Sequence, residues 1–319
     1  MRRNRQPAKG TVVRVAIAGG GGVGGLLAGL LARAGTEVSL LARGEHLRAI
    51  RENGIRIEMP DGAFTARVDA SDTAADLPPG QALVVAVKTW QLPAALPMLA
   101  PLLDTSGVAL PLLNGVEAAD LLASALGKER VCGGLCHVFA WIEAPGLIRR
   151  AGLPPRVTVG ELFGHGRRRL EELCGALRSA GAEATVSGDI RTALWEKLLF
   201  VGPLGAVGAG ARVPAGRLRS VPETRALLER AMREVQAVAR ASGASIADAA
   251  IAGSMARVDA LPPEGTTSMH RDLLAGKRSE LDDLVGAVLR AAAPRQVQVP
   301  AHEALYALLW PHELAARQH

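Results

Sequence analysis

The first half of the chain alternates short apolar runs with amphipathic stretches, which is typical of strands that alternate with helices. A β-branched run at 12–18 predicts a strand, and an Ala- and Leu-rich run ending at Gly35 predicts the helix after it. A second strand is predicted at 36–42. Since the three elements follow one another within about thirty residues, they predict a parallel βαβ unit.

Two further apolar runs are each followed by a polar residue, Lys88 in one case and Asn114 in the other. Ligands of parallel α/β sheets bind beyond the carboxyl ends of the strands, so we expect both side chains beside a bound ligand. A loop lysine and a turn-forming Asn-Gly pair are the structural alternatives. A hairpin about residues 144–146 is expected to extend the same sheet.

The second half of the chain has helical periodicity and almost no strand-like alternation. The run 222–243 predicts one helix, and 266–293 predicts a further helical stretch. Within that stretch, Ser268 and Asp272 would be one turn apart and Glu280 two turns further on. The pattern divides the chain into three parts, namely a basic leader at 1–10, an α/β domain at 11–186 and a helical domain at 187–319.

A glycine-rich stretch joins the first predicted strand to its helix. It contains the pattern Gly19-x-Gly21-x-x-Gly24, with Gly22 inside it. In such junctions the first glycine permits a tight turn, the second lets a pyrophosphate approach the backbone, and the third lets the helix pack on the strand. The strand-to-helix context indicates a dinucleotide-binding domain whose cofactor contacts these glycines, whereas a flexible glycine run is the alternative.

The end of the second predicted strand indicates which dinucleotide is bound. Enzymes that use NAD usually carry an acidic residue there, which binds the ribose 2′-hydroxyl. This chain has Arg43, whose guanidinium can pair with a 2′-phosphate. We therefore predict NADPH as the cofactor, with a solvated strand end as the alternative interpretation of Arg43 and with Glu45 close by.

Composition and charge argue against several classes of partner. The net charge of +6 comes from arginines scattered along 319 residues, and aromatic residues make up 3% of the chain. This distribution suits a small anionic substrate better than a nucleic acid. Three cysteines without a framework spacing predict reduced thiols in the cytoplasm, and Cys132, Cys136 and His137 have no second ligand pair, so no metal site is expected.

An uncharged run at 15–32 has nearly the length of a membrane span and follows a basic leader. Its glycines are grouped in the first half, where they would make a poor apolar helix. A predicted strand also follows directly. We therefore expect neither a membrane segment nor an export signal.

One lysine stands in a long apolar run, TALWEKLLFVGPLGAVGAG, at residues 192–210. Only five of the 37 basic residues are lysine, so Lys197 departs from a strong preference for arginine. An ammonium group can transfer a proton during catalysis, and a guanidinium group cannot. The structural alternative is a lysine whose stem covers the core while its charged head reaches water.

These motifs, in this order, resemble those of the ketopantoate reductase (2-dehydropantoate 2-reductase) family. The resemblance rests on the glycines with Arg43, VKTWQ at 87–91, LNG at 113–115, LWEKL at 194–198 and the polar pattern at 268–282. It covers nearly the whole chain after the leader. It implies a Rossmann-type dinucleotide-binding domain followed by an all-α C-terminal domain, with the active site in the interdomain cleft.

The resemblance also implies a reaction, the NADPH-dependent reduction of ketopantoate to pantoate in pantothenate and coenzyme A biosynthesis, and a possible homodimer. Lys197 would be the general acid, and Glu280 would link cofactor or substrate to it. Lys88 and Asn114 would flank the nicotinamide, with Asn114 also near the keto-acid substrate, and Ser268 would contact that substrate. The chemistry agrees, because hydride addition develops an alkoxide that a positioned ammonium stabilises.

The chain departs from the family pattern where the substrate would bind. Biosynthetic members carry asparagines four and eight residues after the lysine and another in the following loop, and those positions are Val201, Gly205 and Ala215 here. Val201 and Gly205 would line a less polar site, so a less polar keto acid is an alternative substrate. Arg212 or Arg219 could supply a replacement carboxylate clamp. A non-catalytic NADPH sensor is the less favoured alternative.

Overall fold

The computed structural model describes residues 13–318, so the predicted leader at 1–10 lies outside the described residues. Contacts divide the chain into two units. The first extends to Leu113 and resumes over Ala119–Ile190. The second comprises Asn114–Ala118 together with the chain after Ile190. A short segment from the first half of the sequence therefore belongs to the second unit.

The first unit alternates strands with helices, as the periodicity predicts. Its described strands are β1 (Val15–Ala18), β2 (Val38–Leu41), β3 (Ile55–Met59), β4 (Gly62–Ala66), β5 (Asp69–Ser71), β6 (Gly80–Val85), β7 (Leu103–Pro111), β8 (Gly133–Ala144), β9 (Leu147–Gly160) and β10 (Glu183–Ser187). Its described helices are α1 (Gly22–Arg33), α2 (Gly44–Asn53), α3 (Leu92–Ala95), α4 (Ala118–Leu126) and α5 (Arg167–Ser179).

A five-stranded parallel sheet has the order β5-β2-β1-β6-β7. Every residue of β1 and β2 is buried, as is usual for parallel strands that are covered on both faces. The chain proceeds from β1 towards β5 on one side and then returns to β6 on the other side of β1. The carboxyl ends of β1 and β6 therefore form a switch point, which is where α/β sheets bind ligands.

The hairpin about residues 144–146 forms as predicted from β8 and β9, but its expected place in the parallel sheet is wrong. β9 pairs with β3 and β10, and β3 pairs with β4, so these strands make a second sheet. The hydrogen-bonding edges of β9 are occupied by other long-range partners, and the periodicity of a strand does not state which partner it takes.

The described elements of the second unit are helical, which confirms the all-α prediction. Its helices are α6 (Ile190–Ala211), α7 (Ala215–Ser220), α8 (Pro222–Ala241), α9 (Ala250–Ala260), α10 (Ser268–Leu274), α11 (Ala287–Ala292) and α12 (Pro300–Arg317). A π-helical turn at Asp282–Gly286 leads into α11. No helix in the described part of the chain is long and apolar enough to cross a membrane.

The helical stretch predicted at 266–293 is interrupted, which corrects the expected position of Glu280. α10 ends at Leu274, and Gly276 with a φ of +63° stands just beyond that end. The backbone is irregular as far as Glu280, and helix resumes at Leu281. Glu280 therefore precedes a separate helical segment and does not lie two turns beyond Asp272 on one helix.

Candidate active site

The glycine loop has the backbone that a bound diphosphate requires. Gly19 has a φ of +112°, a conformation that side chains other than glycine rarely adopt. A β-carbon at Gly24 would overlap the carbonyl oxygen of Gly19, so only glycine lets α1 pack this closely on the loop. A β-carbon at Gly21 would instead have no atom within 4 Å. Space is thus left beside the residue that precedes α1, where free N–H groups favour an anion.

Gly22 makes a different close approach. A β-carbon there would overlap the carbonyl oxygen of Ala140 and lie 2.9 Å from the Cα of Trp141, both on β8. Gly22 therefore allows a strand of the second sheet to pass against the first turn of α1. Its predicted contact with the cofactor stays a prediction, and this packing is a sufficient physical reason for glycine at the position.

The two basic residues predicted to meet the cofactor both follow strands of the parallel sheet. Arg43 is exposed, follows β2 and directly precedes α2. Lys88 is exposed and follows β6, with its Nζ 5.4 Å from the centre of the Trp90 ring. The backbone N–H of Lys88 donates to Gln91 Oε1 at 3.1 Å, which fixes the turn that carries it.

Asn114 and Glu280 meet within the second unit. Asn114 Nδ2 donates to Glu280 Oε2 at 2.8 Å, and Glu280 is only 4% exposed. Gly115 has a φ of +90°, and a β-carbon there would lie 2.7 Å from the carbonyl oxygen of Asp283. The Asn-Gly pair thus forms a turn that packs directly against the segment of Glu280. The structure brings together two residues that are 166 positions apart in the sequence.

A charged network beside this pair was not predicted from the sequence. Arg290 donates to both carboxylate oxygens of Glu117, at 3.0 and 2.7 Å. It also donates to Asp282 Oδ1 at 2.9 Å, and that oxygen accepts from the Tyr306 hydroxyl at 2.9 Å. Glu117 lies three residues after Asn114. Through Arg290 it therefore holds the Asn114 segment to the segment of Glu280 and Asp282 at a second point. Its only sequence signal is an acidic residue near an Asn-Gly turn.

Asp283 lies among these charges, half-buried on the π-helical turn. Burial, together with the negative charges of Glu280 and Asp282, raises the pKa of Asp283 to about 7, while Arg290 acts in the opposite direction. Since each carboxylate disfavours ionisation of its neighbour, Asp283 holds a proton in the range where an isolated aspartate would be charged.

Lys197 lies near the middle of α6 and is half-buried. Leu194 and Leu198 beside it are buried, and Val201, one turn later, is half-buried. Pro203 interrupts the hydrogen-bonding of the helix shortly afterwards, because it has no N–H to donate. The lysine therefore emerges from an apolar helix in the same unit as Asn114 and Glu280.

The position of Gly205 explains why a larger residue is absent there. A β-carbon at Gly205 would lie 2.6 Å from Met269 Cε and 2.7 Å from Thr267 Oγ1. Both side chains belong to the start of α10, whose first residue is the half-buried Ser268. Thr267 Oγ1 accepts from the backbone N–H of His270 at 3.2 Å and so caps α10. An asparagine at 205 would therefore require the Met269 side chain and the capping Thr267 hydroxyl to move.

The proposed carboxylate clamp in the loop after α6 is not supported for Arg219. Its Nη1 donates to the carbonyl oxygens of Val258 and Leu261, at 2.9 and 2.7 Å, and so secures the end of α9. Arg212 is exposed, with a φ of +57° just after α6. Ala215 is buried, and its N–H donates to the carbonyl oxygen of Gly265 at 2.9 Å.

Two protein-family models match the chain. The model of ketopantoate reductase PanE/ApbA matches residues 15–164, and the model of its C-terminal domain matches residues 189–313. The chain belongs to the ketopantoate reductase family. The assignment confirms the predicted resemblance and the predicted fold class, and it makes the chain an oxidoreductase that acts on CH–OH groups.

Individual relatives agree with this family. A 2-dehydropantoate 2-reductase of Halobacterium salinarum is 34% identical over 292 residues, which cover 90% of this chain and 95% of that protein. The PanE/ApbA family ketopantoate reductase of Ralstonia eutropha JMP134 is 33% identical with a TM-score of 0.87, over 96% of this chain and 100% of that one. A D-mandelate dehydrogenase with NADH, 22% identical over 95% of this chain and 99% of its own, has a TM-score of 0.87 and shares the fold.

Proposed function

We propose that this family member reduces 2-dehydropantoate to pantoate with NADPH. The observation that carries the proposal is the hydrogen bond between Asn114 and the buried Glu280, in the same unit as Lys197. The family resemblance assigns all three residues to ligand binding or catalysis. Relatives named 2-dehydropantoate 2-reductase that cover nine-tenths of the chain support the same substrate.

The first unit would hold the cofactor. The open space at Gly21 and the turn at Gly19 fit a diphosphate, and Arg43 at the end of β2 would pair with the 2′-phosphate. Lys88 would bind near the nicotinamide. When bound, NADPH would supply the hydride that the reduction requires.

Lys197 would act as the general acid. Its ammonium would donate a hydrogen bond to the keto oxygen and then a proton, which stabilises the negative charge that develops there. Glu280 would hold Asn114 and the lysine in position, and Ser268 would hydrogen-bond the substrate. Apolar neighbours such as the buried Leu198 would keep part of the water away from the ammonium, which would make its electrostatic effect larger than in solvent.

A less polar keto acid is the second candidate substrate, and the packing at Gly205 favours it. Met269 and Thr267 fill the volume in which an amide would otherwise face the substrate, and Val201 offers no hydrogen bond. A site without hydrogen-bond partners discriminates poorly for or against a hydroxyl group. The reaction type would stay the same, and only the recognised side chain would differ.

The experiment compares two substrates that differ by one hydroxyl group. NADPH oxidation is measured with ketopantoate and with its analogue in which CH3 replaces CH2OH, and each assay is repeated with NADH. The proposal expects NADPH to be preferred and ketopantoate to exceed the analogue in kcat/KM by a factor of about 100 or more. Equal values, or a preference for the analogue, would favour the second candidate. Absence of turnover with every 2-keto acid tested would overturn the proposed reaction.

A further inference from the structure

Glu313 is a carboxylate with no exposure to solvent, located near the end of α12. Its Oε2 accepts from the backbone N–H of Ser279 at 2.9 Å and from the Ser279 hydroxyl at 2.7 Å. Its Oε1 accepts from Arg317 Nε at 2.9 Å. A charge is costly to bury unless it is paired and hydrogen-bonded, and three donors meet that requirement here.

Ser279 connects Glu313 to the backbone around Glu280 through its hydroxyl group. It is 1% exposed, and its Oγ accepts from the backbone N–H of Leu281 at 3.2 Å while donating to Glu313. These contacts lie in the irregular segment between Leu274 and Leu281. Before Ser279 the backbone N–H groups of residues 275–277 still donate to carbonyls of α10, and after it the Glu280 carbonyl accepts from the N–H of Leu284. Between these helical bonds, the Ser279 side chain and the buried Glu313 carboxylate hold the residues on either side of Glu280.

The held residue is the one that bonds to Asn114. The carboxylate of Glu280 lies 2.8 Å from Asn114 Nδ2. The position of this carboxylate must be maintained within a few tenths of an ångström for the hydrogen bond to persist. Ser279 and Glu313, which the family resemblance does not assign to cofactor or substrate, help to set the backbone from which the Glu280 side chain projects.

We propose that Glu313, acting through Ser279, is a positioning residue that fixes Glu280 for the reaction. The inference rests on the proposed function, since it takes Glu280 as part of the catalytic site. A glutamine at 313 has one acceptor oxygen in place of two, and this oxygen cannot serve both Ser279 and Arg317. The hold on Ser279 weakens, and the segment of Glu280 then samples other conformations. The reduction slows because the residue beside Asn114 is misplaced, although the site keeps every group.

The test is a double-mutant cycle between Glu313→Gln and Glu280→Gln, read as kcat with saturating NADPH and keto acid. In the wild-type background we expect Glu313→Gln to lower kcat by about tenfold or more. In the Glu280→Gln background the same change should alter kcat less than about twofold, because the residue it positions is already disabled. Equal losses in the two backgrounds would show a general structural role and overturn the proposal.

Ser279 variants and a buried carboxylate elsewhere provide the controls. Ser279→Ala should reproduce most of the loss in kcat, and Ser279→Thr, which keeps the hydroxyl, should restore it. Glu234 is also buried and accepts the backbone N–H groups of Ala301 and His302 at the start of α12. Glu234→Gln should therefore lower the melting temperature without the selective loss in kcat.

Amide hydrogen exchange tests the anchoring of this segment independently of enzymatic activity. In Glu313→Gln, exchange should accelerate in the peptide that covers residues 277–284, and in Glu234→Gln it should not. Unchanged exchange in that peptide would overturn the anchoring, whatever substrate the enzyme uses. Absence of turnover in the wild-type protein, with accelerated exchange in the variant, would instead refute the proposed reaction and leave the anchoring intact.

Discussion

At the scale of single residues, the side chains of the candidate site could be predicted from the sequence, whereas most of their contacts could not. Lys197, Asn114 and Glu280 were recognisable because each belongs to a short motif. The partner of Asn114 was not, because the pairing with Glu280 spans 166 positions and depends on the path of the intervening chain. Glu313 had no motif at all, since a carboxylate on a C-terminal helix is ordinarily a solvated residue.

Ionisation of Asp283 is expected to lower the free energy of unfolding at neutral and higher pH. Its pKa, raised to about 7 by burial and by neighbouring carboxylates, exceeds the unfolded value, so the folded state binds the proton more tightly. Stability therefore falls as pH rises from about 4 to about 7. Asp283→Asn should stabilise the protein by on the order of 2 kcal/mol at pH 8 and by almost nothing at pH 4. Urea denaturation at the two pH values measures the difference.

Asp282→Asn is the matched control for that prediction. Asp282 accepts hydrogen bonds from Arg290 and Tyr306, so its neutralisation should lower the free energy of unfolding at pH 8. A stabilisation by Asp283→Asn that is the same at pH 4 and pH 8 would contradict the titration account.

At the scale of elements, two glycines of the glycine loop have different predicted roles, since Gly24 is needed for packing and Gly21 for binding of the cofactor. Gly24→Ala should lower the free energy of unfolding by about 1–3 kcal/mol, because its β-carbon overlaps the Gly19 carbonyl. Gly21→Ala has open space and a φ of −68°, so the fold should persist while the affinity for NADPH falls by about tenfold or more. Chemical denaturation and fluorescence titration with NADPH measure the two effects.

The control for the glycine pair is Gly175→Ala in α5, where a β-carbon also meets no atom within 4 Å. This change should leave the affinity for NADPH unaltered. If Gly21→Ala bound NADPH as well as Gly175→Ala does, the loop would not be the diphosphate site.

The surroundings of Val201 and Gly205 on α6 lead to a prediction about substrate choice. Val201 is half-buried one turn after Lys197, so Val201→Asn can be accommodated and offers an amide near the lysine. It should raise the kcat/KM ratio of ketopantoate over its CH3 analogue by about tenfold. Gly205→Asn should instead destabilise the fold, because Met269 and Thr267 occupy the space. An unchanged ratio in Val201→Asn would exclude that position from the substrate site.

Element prediction failed where partners, rather than periodicity, decide the structure. The helical pattern at 266–293 continues across the irregular segment, since apolar spacing alone does not reveal that Ser279 bonds to Glu313 in place of a helical neighbour. The sheet of β8 and β9 was misplaced for the same reason. The two turn residues between β3 and β4 are Pro60 and Asp61, and Gly62 follows with a φ of +134° at the start of β4. This Pro-Asp-Gly sequence was a usable turn signal for that second sheet.

At the scale of the whole molecule, each unit has its own hydrophobic core. The fold class was predictable because the switch from strand-helix alternation to uninterrupted helical periodicity runs along the whole sequence. The assignment of Asn114–Ala118 to the second unit was not, because it depends on the long-range contacts of Asn114 and Glu117.

The cysteines report on opening of the first unit. Cys132, Cys136 and Cys174 are buried in it, and burial raises the pKa of Cys132 to about 12 and that of Cys174 to about 11. Thiol reagents should react only through unfolding of this unit, and NADPH at 100 times its Kd should slow that labelling by about 100-fold. Labelling kinetics with and without NADPH provide the measurement. Labelling that NADPH leaves unchanged would place the cofactor elsewhere.

The proposed reaction of this ketopantoate reductase family member is the reduction of a keto acid with NADPH, with Lys197 as the general acid. Its most direct test measures NADPH oxidation with ketopantoate, and NADPH affinity, in the wild-type protein and in Lys197→Ala and Lys197→Arg. We expect both variants to bind NADPH normally and to lose turnover, since neither methyl nor guanidinium can supply the proton. Turnover at the wild-type rate in Lys197→Ala would contradict the assignment.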